Sequence, residues 1–382
     1  MRKRNVLIFQ ELIMARRLIL FTGCLVLFFF ANFTHVWGQD DTSGALVSSV
    51  ILKQAGLKRL WQNPMPLEKN EKVSKIYVTD KLLYVSTDKN YFYAIDRKKG
   101  SIEFIFQPAA AKQPLLGPTF YEGKLLFMVG KKLLIMDPAL KGITKSKQFD
   151  TLADVAVFAP VRNTDFFYIA SDDKWLYALS SEDYLRQFAV SADNDSMINS
   201  IIADDEFLIV STAAGNIIRF DLKSPDRIWQ RDVGGIKAPL KTEGKWLYVS
   251  TTNAKVSKID MKTSQNGWFM DFVAGEKLTT PVTIGKQLIY QYAGKKGLYA
   301  IGKQTGRKLW QLPKATGLMA ESGSISYVFE KPGRLTVMDN KKPVKLFSVN
   351  LANVDIFAIN TIDEKIFLSD YNGRIMAIGT RE

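Results

Sequence analysis

Eight stretches of this 382-residue chain carry one short pattern at nearly even spacing. Each runs through a polar turn, a strand of apolar and small residues, a tight turn, and a second strand ending on an apolar residue that is often followed by Asp. Lys81 to Asp96 (KLLYVSTDKNYFYAID), Glu206 to Asp221 (EFLIVSTAAGNIIRFD), Lys245 to Asp260 and Glu364 to Gly379 show it plainly. The second-strand ends are Asp96, Asp137, Ser180, Asp221, Asp260, Gly302, Asp339 and Gly379, at spacings of 41, 43, 41, 39, 42, 37 and 40 residues. A period of about 40 residues made only of short β-type runs matches one four-stranded propeller blade, not the helix pairs of a solenoid. The pattern predicts an all-β, eight-bladed β-propeller of four-stranded antiparallel blades.

A second register is independent of the first. Eight residues past each strand end stands Phe104, Phe188, Trp229, Trp268, Trp310 or Phe347; only the second repeat departs, with Lys145 there and Phe149 four residues on. A large ring at fixed spacing across a Gly-bearing turn, as at Gly100 or Gly306, suits an outer strand that sets one aromatic against the neighbouring blade. Burying such a ring contributes about 2–3 kcal/mol, so these residues are read as packing elements and not as ligand-stacking groups.

The eighth repeat stops at Glu382, three residues past Gly379, too soon for an outer strand of its own. Leu57-Lys58-Arg59-Leu60-Trp61 matches the outer-strand pattern of Arg307 to Trp310, yet no inner strands precede it. The N-terminal strand, with Trp61 as its aromatic, is therefore expected to complete the last blade and close the ring without an unpaired seam. Residues 39–56 form a lead-in with one or two helical turns, and 57–382 a single propeller domain. Ala159-Pro160, Ala238-Pro239, Thr280-Pro281 and Gly117-Pro118 are expected before the first strands of their repeats, where a missing N–H costs no ladder bond.

The repeat is plainest in Gly297-Leu298-Tyr299-Ala300-Ile301-Gly302-Lys303-Gln304-Thr305-Gly306-Arg307-Lys308-Leu309-Trp310. It resembles the pyrroloquinoline-quinone (PQQ) type propeller repeat over roughly residues 57–382. That resemblance implies the fold; for function it implies either a quinone-dependent dehydrogenase or a cofactor-free envelope scaffold of the BamB-like branch. The dehydrogenases use a vicinal disulfide, a calcium ion and a catalytic Asp, and are about twice this length. This chain has no Cys-Cys pair and no recognisable calcium cluster, which ranks the quinone reading last and implies no cofactor.

The first 38 residues stand apart from the repeats. Arg2, Lys3, Arg4, Arg16 and Arg17 precede an apolar run from Leu18 to Phe30, and Gly38 offers a small residue for cleavage before Gln39, as in a secretory signal peptide. Met14 opens a compact version of the same signal, so Met1 and Met14 are both candidate starts. The competing reading is an uncleaved anchor, since the run nearly suffices to cross a bilayer. Phe21-Thr22-Gly23-Cys24 resembles a lipobox in outline, but Leu25 to Phe30 carry the apolar region past the thiol, which favours an ordinary leader residue; BamB-like proteins usually have a clear lipobox. The chain is expected in the periplasm or at the outer membrane, with secretion as a variant.

Cys24 and His35 are the only cysteine and histidine, and both lie in this leader. After cleavage, Ser-His-Asp and Cys-His catalysis, His- or Cys-ligated zinc and dithiol chemistry have no residues to work with. Carboxylate-pair chemistry is still open. Asp172-Asp173 and Asp204-Asp205 fall at turns, where Asp caps local backbone groups, and Asp193-Asn194-Asp195-Ser196 lacks the glycine and distal glutamate of a calcium loop. The repeating strand-end Asp is read as a turn cap, because it recurs with the blade. Gly294-Lys295-Lys296-Gly297 lacks the helix that a phosphate loop requires. No catalytic, cofactor-binding or metal-binding residue is assigned.

Net charge is +14, and +10 (47 basic against 37 acidic residues) without the leader. Much of the excess lies in loops such as Lys98-Lys99, Lys131-Lys132 and Lys341-Lys342 and reads as solubilising charge, compatible also with anionic partners or peripheral membrane contact. No aromatic-basic motif supports nucleic-acid binding. The expectation is a monomeric, non-enzymatic scaffold that binds envelope proteins, with outer-membrane protein assembly as its setting; the alternative is a carbohydrate-active or carbohydrate-binding propeller with a carboxylate-lined channel.

Overall fold

A computed structural model describes residues 44–380 except Asn194 and Ala352. The segment expected to be a leader, with Met14, Cys24 and His35, lies outside the described residues. No helix among the described residues is long and apolar enough to cross a membrane.

Eight separate four-stranded antiparallel sheets follow one another along the chain. Seven take four consecutive strands each, beginning at Val73, Leu116, Val161, Ile198, Lys241, Thr283 and Ala315; we number them blades 1 to 7. Blade 8 takes Ile356–Phe357, Ile366–Ser369 and Arg374–Thr380 from the C-terminus and Leu57–Pro64 from the N-terminus as its outer strand. That strand pairs antiparallel with Arg374–Thr380 from Leu57↔Thr380 to Pro64↔Arg374. The ring is closed by the chain's own two ends, as the truncated eighth repeat predicts.

Why strands and why this packing can be read from burial. The two middle strands of each blade are sheet-covered on both faces, and their runs are correspondingly continuous and apolar, as in Leu125 to Met128 or Phe166 to Ala170. Their side chains form eight hydrophobic clusters, one for each seam between successive blades. Tyr84, Phe92 and Phe106 of blade 1 meet Leu125, Phe127 and Leu134 of blade 2, for instance, and Leu83 and Ile95 of blade 1 meet Phe367 and Ile375 of blade 8. The six-residue helix Ser49–Gln54 buries Leu52 at the seam of blades 7 and 8 beside Leu46 and Val47.

The aromatic register has a consistent geometry. Phe104, Phe188, Trp310 and Trp61 stand directly across from Ala94, Ala178, Ala300 and Ala377, so a small residue makes room for each ring. Trp229 and Phe347 face Arg219 and Val337, and Lys145 takes the corresponding place opposite Ile135 while Phe149 is buried beyond the strand end. A β-bulge adjoins the position in all seven of these blades, adding the local twist that turns the outer strand. Trp268 differs: it is buried, but it precedes the outer strand of blade 5, which is only Phe272–Val273.

Four tryptophans also hydrogen-bond across a seam by one rule. The indole N–H of Trp61 donates to the Arg97 carbonyl at 3.2 Å, Trp229 to Met261 at 3.1 Å, Trp268 to Lys303 at 2.9 Å, and Trp310 to Asn340 Oδ1 at 3.0 Å. Each acceptor residue directly follows the strand end of the next blade. Gly100 and Gly306 lie beneath two of these rings, with φ of +77° and +69°; a Cβ there would come within 2.5 Å of Trp61 and 2.7 Å of Trp268.

Proline placement departs once from expectation. Pro160, Pro239 and Pro281 precede their first strands, but Pro118 lies inside Leu116–Tyr121, where the pairing register skips from Leu116 to Thr119. A first strand pairs on one side only, and the irregularity leaves Pro118 out of the ladder, so no bond is lost.

Candidate functional site

Among the described residues, two places are candidate sites: the central channel and the outer edge of blade 5.

The first strands of neighbouring blades approach one another around the axis, as at the parallel bridge between Ala320 and Asn360. Between them lies a cavity of about 680 Å³ bordered by Lys75, Lys241, Glu243, Tyr290, Phe357 and Ile359 and by several threonines. Glu243 is the only carboxylate in that lining, and its Oε1 is held by Lys303 Nζ at 2.7 Å. Burial by surrounding protein holds the Lys75 and Lys241 ammonium groups below the usual lysine range, and the charge of Lys241 lowers Lys75 further.

The strand-end carboxylates are turn caps. Asp96 Oδ1 accepts from the Lys98 and Lys99 N–H groups at 2.8 and 2.7 Å, and Asp221, Asp260 and Asp339 accept in the same way from the second and third residues after them. Asp137 caps Ala139, and Ser180 Oγ serves Glu182 and Asp183. Asp173 caps Trp175 and accepts from the Tyr177 hydroxyl, Asp204 caps Glu206 and Phe207, and Asp205 binds Thr164. Asp193 accepts from Thr212 and Asn216, while Asp195 pairs with Lys174. No metal-binding cluster occurs among the described residues. Gly294–Lys296 forms one 3-10 turn between two strands of blade 6.

At blade 5 the outer strand gives way to a loop. Its Gly267 N–H bonds the Lys258 carbonyl at 2.7 Å, Trp268 is anchored on Lys303, and the chain then turns Phe269 and Met270 outward before Phe272–Val273 rejoins the sheet. Phe269 is 95% exposed, Met270 70% and Val273 62%. Contiguous exposed apolar groups held on an anchored loop are a common mark of a contact surface. The repeat marks Trp268 as a packing ring and does not single out Phe269 and Met270. A signal is nonetheless present: Trp61, Trp229 and Trp310 are each succeeded by Gln, Trp268 by Phe.

The family model described as outer membrane protein assembly factor BamB matches residues 50–231 and again 214–382, the two spans together covering the whole ring. The chain belongs to the BamB family. Among solved structures, BamB from Moraxella catarrhalis is similar at 14% identity with a TM-score of 0.62, over 84% of this chain and 99% of that one. A computationally designed protein, Ika8, is similar at 10% identity with a TM-score of 0.62, over 82% of this chain and 98% of that one. At these identities the likeness is one of fold alone. No curated protein matches the chain in sequence.

Proposed function

We propose that this BamB-family propeller is an exported, non-enzymatic scaffold of the cell envelope that holds a protein partner, in the setting of outer-membrane protein assembly. The observation that carries the reading is the family match across the entire ring. The blade 5 loop supplies a fitting surface, since Phe269 and Met270 lie in water on a loop anchored by Trp268. A rigid anchor with exposed aromatic and thioether groups loses little entropy on docking, and such residues are enriched in protein interfaces. The N-terminal leader supports export. Seams closed by eight apolar clusters keep the loop fixed relative to the other blades.

Affinity isolation from envelope fractions tests the reading, run in parallel on the unaltered chain and on the double variant Phe269→Asp, Met270→Asp. A partner recovered reproducibly with the former and lost with the latter, at unchanged melting temperature, is expected. Recovery of no reproducible partner, or equal recovery by both, contradicts it.

A further inference from the structure

We propose that the central channel is a binding site for a small multivalent oxyanion, held between Lys75 and Lys241. Blades 1 and 5 stand four places apart in a ring of eight, so their first strands face each other across the axis. Lys75 comes from Val73–Val78 of blade 1 and Lys241 from Lys241–Glu243 of blade 5, and both border the same cavity of about 680 Å³. That volume is within the range of small-molecule sites.

Neither ammonium group makes an ion pair or a hydrogen bond with a described residue. Lys75 Nζ lies 4.6 Å over the Tyr77 ring, a neutral contact. Lys75 and Lys241 are exposed to the open channel, whereas the buried cations of this ring are answered by protein groups: Lys258 donates to the Lys303 carbonyl at 3.0 Å, Lys303 pairs with Glu243, and Arg97 pairs with Asp363 at 2.5 Å. Two like charges sharing one protein-walled cavity repel each other more strongly than they would in bulk water. An anion of charge two between them offsets that repulsion and gives each ammonium a charged hydrogen-bond acceptor in place of water. Around the pair, the hydroxyls of Thr242, Thr283 and Thr361 offer further donors, and Phe357 and Ile359 offer apolar contact for a carbon skeleton. Desolvation lowers the proton affinity of both lysines and the Lys241 charge lowers that of Lys75 further, while Glu243, the carboxylate in the described lining, is held by Lys303. This inference stands apart from the partner surface on blade 5 and survives or fails without it.

Titration calorimetry on the purified protein in low-salt buffer, with inorganic pyrophosphate and with succinate as probes, provides the test. One saturable site per chain is expected for at least one probe, weakened about tenfold or more by Lys75→Gln and by Lys241→Gln separately, and weakened by added salt. Response to pyrophosphate alone assigns a phosphate-type ligand, response to succinate alone a carboxylate, and response to both a shared oxyanion site. The surface variant Lys132→Gln should bind like the unaltered chain. If a glutamine variant fails to fold, Lys75→Arg and Lys241→Arg, which keep the charge, should retain binding, and isotope-labelled lysine resonances should report both ammonium groups titrating higher when the probe is bound. Absence of binding by either probe to about 10 mM, or affinities unchanged in folded Lys75→Gln and Lys241→Gln, overturns the proposal.

Discussion

The indole of Trp61, near the start of the ring, donates its hydrogen bond to the carbonyl of Arg97 across the closing seam, while the Arg97 guanidinium pairs with Asp363 of blade 8. One residue of blade 1 thus grips both the N-terminal strand and the C-terminal blade that the strand completes. Because the chain's two ends meet within blade 8, in the pairing of Leu57–Pro64 with Arg374–Thr380, that blade is where closure is most exposed to damage. Trp61→Ala should cost about 3–5 kcal/mol and Trp61→Phe, which keeps most of the ring but loses the donor, about 1–2 kcal/mol. Urea denaturation followed by tryptophan-independent circular dichroism checks both; equal costs for the two variants would remove the hydrogen bond from the explanation.

Gly100 should not tolerate alanine. Its φ of +77° disfavours any Cβ, and a Cβ would press to within 2.5 Å of the Trp61 ring. Gly100→Ala is expected to lose more than about 1 kcal/mol, whereas Gly123→Ala, also at positive φ but with nothing within 4 Å, should lose less. The difference between their melting temperatures isolates the contact with the ring from the backbone strain.

Much of the fold is legible in the amino-acid sequence. The strand-end residues and the aromatics eight places on locate the blades, and the match of Leu57 to Trp61 with the outer-strand pattern of Arg307 to Trp310 marks the closing strand. Those features are legible because each blade repeats the same packing problem and solves it with the same residues. The spacing puts Trp268 correctly in its seam but not in its strand, since a ring can keep its pocket while the backbone around it bulges. Lys75 and Lys241 carry no signal at all. They are far apart in sequence, and only ring closure brings the first strands of blades 1 and 5 to one cavity.

The repeated Asp residues give a prediction about chemistry. As caps they act one blade at a time, so Asp96→Ala and Asp339→Ala should each cost about 1 kcal/mol, and the double variant about the sum, since the turns are separate. A shared active site would instead show strong coupling between them. A double-mutant cycle by chemical denaturation distinguishes the two.

Lys241 has a predicted pH signature. Its proton affinity is lowered by desolvation against the channel wall while the side chain keeps an exposed face, so the charged form weakens the folded state modestly at neutral pH. That penalty is present below the folded value and fades as pH climbs to the ordinary lysine value near 10.5. In buffer free of multivalent anions, Lys241→Met should raise the melting temperature at neutral pH, and the gain should shrink as pH rises toward and past that value. Lys75 also lines the cavity, as does Glu243, which is held by Lys303; Lys75 should respond in the same direction. A gain that grows with pH contradicts this sign.

The blade 5 loop should contribute to contact and little to stability. Phe269→Asp with Met270→Asp removes exposed groups only, so thermal unfolding should stay within about 0.5 kcal/mol of the unaltered chain, in contrast to Trp268→Ala, which empties a seam.

The scaffold role itself is tested most directly by site-specific photo-crosslinking in intact cells, with a photoreactive phenylalanine analogue at position 269 and, as control, at the exposed Leu140 of blade 2. A scaffold that docks through blade 5 gives a discrete adduct with one envelope protein from position 269 and none of that size from position 140. No adduct at 269, or the same adducts from both positions, would contradict it.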